Sequence, residues 1–584
     1  MSICYKITPQ CYSHHYVVEL SFTAINPTME LALPAWIPGS YMVREFSKNI
    51  TTLSATQHQR VINVEQTNKN RWQLHNLEIG TPVIVYYRVY AYEFGIRTAF
   101  LDHSRGYFNP TSLCLAITGS ESSAHRLEFC ELPPQWQVIS GLKSAGIQRF
   151  CAENYDELID SPFELGSYSE LAFELYGKKH AVILSGTTPE FDQSRFLADI
   201  EKICRYQVDL FGGIPPYQHY YFILNLSGEI YTGLEHRNST LLMAPWYSLP
   251  NLNHSNDEDY HKLLALISHE FFHTWNVKRI KPASFTPYQL MEENYTKLLW
   301  WFEGVTSYYD DLVLYRSGIT TQEQYLKVVT DNINNVYKFS GVNNQTLVNS
   351  SLTSWIKYYR QDENSPNSIV SYYVKGSLVA LGLDLLIRNQ SQYSLDDVMR
   401  YLFQQWQATA AGVGEDQIPA LVKAATGVDV AEFIYLATET TAMLPLVELL
   451  AQFGLDLDSR PAKNHQDNGK YLSTTITEKS GADKALDLGV KLEKQTLGYM
   501  VKNVYANTPA ETAGIAGGDL IIAINNVKLT NLERQLAFYS AGAEISLTLF
   551  RQERLVNLVI RLEPSLASIY DLRLKDTQLL AHWL

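Results

Sequence analysis

Residues Asp257–Trp275 read DEDYHKLLALISHEFFHTW. Leu263, Leu264, Ile267, Phe271 and Trp275 recur at three- and four-residue intervals, the period of a helix with one apolar face, which predicts a helix over 257–277. Within it, His269-Glu270-Phe271-Phe272-His273 is an HExxH string. Two histidines at i and i+4 share a helix face, so both imidazoles can hold one Zn²⁺ while Glu270 reaches the adjacent water. Two ordinary histidines of a core or surface are the competing reading.

A catalytic zinc site needs a third protein ligand and an open position. Two carboxylates compete for that role downstream. Glu292 follows His273 after 18 residues, in the polar stretch QLMEENYTK beside Glu293. Glu303 stands in LLWWFEGVTSYYDDL, with Trp300, Trp301 and Phe302 before it and Tyr308 and Tyr309 after. Aromatic surroundings predict burial, and a buried carboxylate needs a cation, so Glu303 is favoured.

Around this centre lie 584 residues, 46% hydrophobic and 18% charged, the composition of several packed domains. The net charge of -14 disfavours nucleic acid and anionic membrane surfaces as partners. No basic-then-apolar leader opens the sequence and no segment is long and apolar enough to span a bilayer. The six cysteines, Cys4, Cys11, Cys114, Cys130, Cys151 and Cys204, lack CxxC spacing and predict free thiols in a reducing cytoplasm.

Short alternating runs such as YVVELSF and PVIVYYRVYAYEF predict a β-sandwich in the first part of the chain. Strands then mix with a helix near 190–211. Helical periods follow over 293–317, 321–338, 371–389, 394–409, 415–426 and 430–438. The polar stretch SRPAKNHQDNGK predicts a linker, with strands and one helix after it. The expected fold class is multidomain α+β: an amino-terminal β-rich domain over 1–175, a mostly helical domain over 176–465 that carries the HExxH string, a small domain over 480–565 and a tail over 566–584 that packs as an arm.

HEFFHTWNVKRIKP followed by LLWWFEGVTSYY resembles the glycyl aminopeptidase family of zinc metallopeptidases, relatives of aminopeptidase N whose last ligand comes from a W-x-x-E-G-x-T-x-Y-Y string. Leu33–Phe46, LPAWIPGSYMVREF, is similar to the first domain of that family. The resemblance implies a thermolysin-like catalytic domain holding one Zn²⁺ through His269, His273 and Glu303. Tyr231–His236, YTGLEH, is similar to the family's G-G-L-E-H edge strand, with Thr232 at the second position instead of Gly. Gly233 and Glu235 would then line the substrate, and Glu235 would pair with a free α-ammonium. A solvated Glu at a strand end is the alternative. Tyr373, in YYVKG, matches the tyrosine of a Y-x-K-G string whose hydroxyl meets the oxyanion; an ordinary packing tyrosine competes with it. Asn276, Lys278, Arg279 and Lys281 either support the site or complement the helix dipole. Trp36, Tyr41, Arg44, Arg97 and Asp102 are expected to be structural, with reach into the active-site cleft as the alternative.

TLGYMVKNVYANTPAETAGIAGGDLIIAINNVKLT looks like a PDZ domain of the bacterial protease type. The resemblance implies that amides of Leu497-Gly498-Tyr499-Met500 hold a terminal carboxylate and that a peptide adds as a strand, although a fixed spacer is an equal alternative. The expected function is removal of amino-terminal residues, small ones such as Gly or Ala preferred, from peptides with a free amino terminus. A thermolysin-like endopeptidase, or a peptide-binding scaffold with a structural zinc, are the rivals.

Overall fold

The computed structural model describes residues 3–253, 258–462, 467–473, 486–564 and 568–584. They form two compact units: one comprises 1–295 and 402–414, the other 296–401 and 415–584.

In the first unit, an eight-stranded sheet and two four-stranded sheets make up the β-rich amino-terminal part. His15–Thr23 pairs with Ile3–Gln10 and Pro82–Tyr90, and its residues alternate between half-buried and buried. Tyr16, Val18, Leu20 and Phe22 thus face the core, as the alternating sequence requires. A five-stranded sheet follows, in the order Ser169–Leu175, Lys178–Gly186, His219–Ser227, Ser239–Pro245, Thr232–Glu235. Its central strands are parallel and its last strand runs antiparallel along one edge. Every residue of Ser239–Pro245 is buried, which is why that stretch carries an unbroken apolar run instead of alternation.

The helix Gln193–Leu210 packs beside Glu258–Phe272. Gln207 Nε2 donates to Ser268 O and Oγ at 2.9 and 3.0 Å, so the pair is pinned by buried hydrogen bonds as well as apolar contact. The expected helix 257–277 ends earlier, at Phe272; wider, five-residue turns continue the chain, with Lys278 N bonded to His273 O and Ile280 N to Trp275 O. Phe211 stacks on Trp275 at 4.6 Å and 6°, closing this end.

The second unit carries the remaining helices. Gln322–Tyr337, Val374–Gln390, Leu395–Thr409 minus its last residues, Ile418–Thr426 and Ala431–Glu439 lie where the periodicity puts them. The expected helix 293–317 is two pieces, Leu299–Phe302 and Gly304–Arg316, meeting at Glu303. Short helices such as Gly341–Asn344, Leu347–Leu352, Ser365–Ser368 and Leu446–Ala451 escaped the periodicity because one or two turns show too little of it. The expected linker begins inside a strand: Leu455–Pro461 pairs with Ser568–Leu574 of the tail, and residues 463–466 lie outside the described ones. Trp583 is buried and its Nε1 donates to Tyr308 Oη at 3.3 Å, so the tail packs on the helical part as expected.

The PDZ sheet is ordered Val490–Lys494, Tyr499–Val504, Leu520–Ile524, Glu544–Arg551, Arg554–Arg561. Its residues bury a core of their own around Val501, Ile521, Leu547 and Ile560. One expectation is corrected here. Leu497 and Gly498 lie in the hairpin turn between the first two strands, where Gln495 N donates to Gly498 O at 2.9 Å. Tyr499–Val504 is paired on both sides, so no peptide can add beside that loop. The edge strand on this side of the sheet is Val490–Lys494, and the glycine ahead of it is Gly489, whose amide already donates to Asp487 Oδ1 at 3.0 Å.

Candidate active site

The first unit supplies a helix and a sheet edge. His269 and Glu270 sit in the last turn of Glu258–Phe272, and His273 follows, its amide bonded to His269 O at 3.3 Å. The two imidazole rings lie 4.7 Å apart and nearly perpendicular. His273 is buried, and its Nδ1 donates to the Asn276 carbonyl at 2.7 Å. That bond fixes the tautomer and leaves Nε2 with its lone pair as a ligand atom. It also answers what the segment after the helix does: Asn276 acts through its backbone on a histidine.

Thr232–Glu235 runs along the sheet edge beside this helix. A Cβ at Gly233 would fall onto the Glu270 carboxylate, closer than any non-bonded contact permits, so any larger residue would have to displace that side chain. Glu235 comes from the same face two residues on. One ligand atom from each of Glu235, Glu270 and His273 lies within 4.8 Å of the others, and all three residues are buried. Two buried carboxylates converging on an imidazole call for positive charge nearby, and a divalent cation or an ammonium group meets that demand. Imidazoles beside such carboxylates suit a zinc ion, which His269 and His273 would hold.

The amino-terminal domain reaches this point from its own loops. A Cβ at Gly39, in the IPGS turn at φ +91°, would collide with the Glu235 carboxylate. Trp36 Nε1 donates to Gln289 O and Glu292 O, and Tyr41 stacks on Phe285 at 5.8 Å. Trp36 and Tyr41 thus pack against the segment 285–292, and Gly39 shapes the space around Glu235. Asp102 caps a turn through Ser104 and Arg105. Glu292, the rival ligand, is exposed and belongs to no group of donor atoms able to hold a metal among the described residues.

Glu303 and Tyr373 belong to the second unit. Glu303 is buried at the junction of its two helical pieces. Tyr373 precedes the helix Val374–Gln390, and its hydroxyl pKa is pushed well above the ordinary range by burial and by the Glu303 carboxylate. A phenol so held stays protonated and can donate. What brings the two residues together is a pair of glycines. A Cβ on Gly304 would lie 2.5 Å from Gly376 Cα, and one on Gly376 would lie 2.8 Å from Gly304 Cα and 2.7 Å from Trp300 O. The helices cross backbone to backbone, which explains why glycine follows Glu303 and stands three positions after Tyr373. Tyr308 and Tyr309, by contrast, bond Asp384 and Asp396 and serve packing.

Three comparisons bear on this arrangement. Residues 4–167 match the model of the peptidase M61 N-terminal domain, 262–379 that of M61 glycyl aminopeptidase and 487–562 that of a PDZ domain. The crystal structure of an aminopeptidase N family protein from Idiomarina loihiensis is similar over 100% of both chains, with 37% identity and a TM-score of 0.94. An M1 zinc metallopeptidase from Deinococcus radiodurans matches over 76% of this chain and 95% of that one, at 12% identity and a TM-score of 0.49. No curated protein matches.

Proposed function

Because this chain belongs to the M61 glycyl aminopeptidase family, we propose that it is a zinc metallopeptidase that removes the first residue from peptides with a free amino terminus, Gly and Ala foremost. The observation that carries this reading is the buried Glu235 carboxylate beside Glu270 and His273, at the edge of the five-stranded sheet. A peptide laid along that edge would end with its ammonium at Glu235, fixing cleavage at the first bond.

In this reading His269, His273 and Glu303 hold one Zn²⁺, which when bound supplies Lewis acidity and a water of lowered pKa. Glu270 takes a proton from the attacking water and returns it to the leaving amine. The Tyr373 hydroxyl donates to the oxyanion as the carbonyl becomes tetrahedral. Glu235 acts on the far side of the same bond, holding the α-ammonium. Each carboxylate thus has one task set by its place: Glu270 at the helix end moves a proton, and Glu235 on the strand binds.

The test is hydrolysis of Gly- and Ala-anilides by zinc-loaded and chelator-treated protein, with the Glu270→Gln variant alongside. Activity that disappears with chelator, and a variant that keeps one zinc but loses about 10³-fold in kcat, support the reading. Full activity of the variant would exclude Glu270 as the base.

A further inference from the structure

Asp160 follows the short helix Tyr155–Ile159 of the amino-terminal domain, far in sequence from every peptidase string. Its carboxylate is nonetheless the meeting point of three segments at the site. His236 Nδ1 donates to Asp160 Oδ1 at 3.1 Å and Lys278 Nζ to the same oxygen at 2.7 Å. Arg237 donates to Oδ2 from its backbone N at 3.2 Å and from Nε at 3.0 Å. His236 and Arg237 directly follow Glu235; Lys278 follows the zinc helix. Asp160, His236 and Lys278 are all buried, and the three partners hold the Asp160 carboxyl well below the usual carboxylate range despite its burial.

The segment so tied is the one that needs tying. Thr232–Glu235 is a sheet edge, paired only with Ser239–Pro245 among the described residues, and its last residue carries the charge proposed to receive substrate. The turn beyond is held from the other side as well: Arg279, buried, donates to Arg237 O at 3.1 Å, and Asn238 Nδ2 donates to Gly141 O at 2.7 Å. With Gly39 against the Glu235 carboxylate, the amino-terminal domain holds this residue at both ends, by contact at the side chain and by charge at the next two residues.

We propose that Asp160 is a positioning residue for substrate binding: through His236, Arg237 and Lys278 it fixes the end of the edge strand so that Glu235 meets the substrate ammonium. The inference rests on the reading of Glu235 as the amine anchor. A buried carboxylate with four donors in fixed directions locates a backbone more sharply than the edge strand's single ladder does. Asp160 touches neither substrate nor reacting atoms, so its loss should weaken binding of the amino terminus while leaving proton transfer by Glu270 intact.

The experiment is a double-mutant cycle on the zinc-loaded full chain, measuring KM and kcat for Ala-anilide. Asp160→Asn should raise KM about tenfold and leave kcat within about twofold. In a Glu235→Gln background, where the anchor is already lost, adding Asp160→Asn should raise KM no further. Equal KM increases on both backgrounds, or a fall in kcat at constant KM, would overturn the proposal. Glu235→Gln with an unchanged KM would instead remove the anchor reading and this inference with it, so the two failures are distinguishable. Arg237→Ala provides the second variant should Asp160→Asn not fold: Arg237 is half-exposed and its side chain supplies one of the four donors, and about a threefold KM increase, absent in the Glu235→Gln background, is expected. No KM increase with Arg237→Ala in a folded protein overturns the proposal.

Discussion

Thr232–Glu235 and Val490–Lys494 are both edge strands, each paired on one side only among the described residues, and each offers a row of backbone groups to a peptide. Their surroundings differ. Beside the first, Glu235, Glu270 and His273 are buried with donor atoms within 4.8 Å of one another, and Gly233 and Gly39 leave room for the carboxylates. Beside the second, Lys491, Glu493 and Lys494 are exposed, and the one glycine amide placed to receive a terminal carboxylate donates to Asp487. Backbone edges are generic; the buried charge next to them decides which end of a peptide is recognised. The first edge suits an ammonium. The second presents a carboxylate where the usual ligand would bring another.

Gly233→Ala breaks the first edge most directly, since its methyl lands on Glu270. We expect kcat/KM for Ala-anilide to fall about 100-fold with little loss of stability, because the added methyl meets the end of the Glu270 side chain, which can turn aside out of its working position. Gly376→Ala tests the supporting half: its methyl meets the backbone of Gly304 and Trp300, so thermal unfolding should show a loss of about 3 kcal/mol and activity should fall about tenfold as Glu303 and Tyr373 move. The smallest effect belongs to the second edge. Leu497→Ser, at the exposed tip of the PDZ hairpin, should leave anilide turnover within about twofold of wild type; a larger loss would mean that the hairpin tip takes part in the peptidase reaction. Asp487→Asn removes the charge at Gly489 and sharpens the comparison: titration with a peptide ending in a free carboxylate should show tighter binding than to wild type, by about fivefold.

Much of this was readable from the chain because the informative spacings are local. Leu263 to Trp275 repeat within one helix, and the aromatic residues around Glu303 announce its burial over a few positions. Asp160 and Gly39 gave no comparable signal. Their partners stand 76 residues away at His236 and nearly 200 residues away at Glu235, and nothing in ELIDSPF marks an aspartate that accepts four hydrogen bonds. The break at Glu303 was hidden for a different reason: Leu299–Phe302 is buried on every side and most of Gly304–Arg316 is buried too, so no change of face marks the junction. In the PDZ domain two Leu-Gly pairs, Leu488-Gly489 and Leu497-Gly498, present the same dipeptide, and only strand pairing shows which one precedes the edge. Local period reports which face is buried; it is silent on which distant groups share a site.

The account stands on the first edge recognising a free amino terminus through Glu235. The direct measurement is kcat/KM for Ala-anilide and for its acetyl-capped form, with wild type and Glu235→Gln. A preference for the free amine of about 10³-fold in wild type, reduced to about tenfold or less in the variant, is the predicted result. Equal cleavage of the capped compound by wild type would contradict it and make the enzyme an endopeptidase.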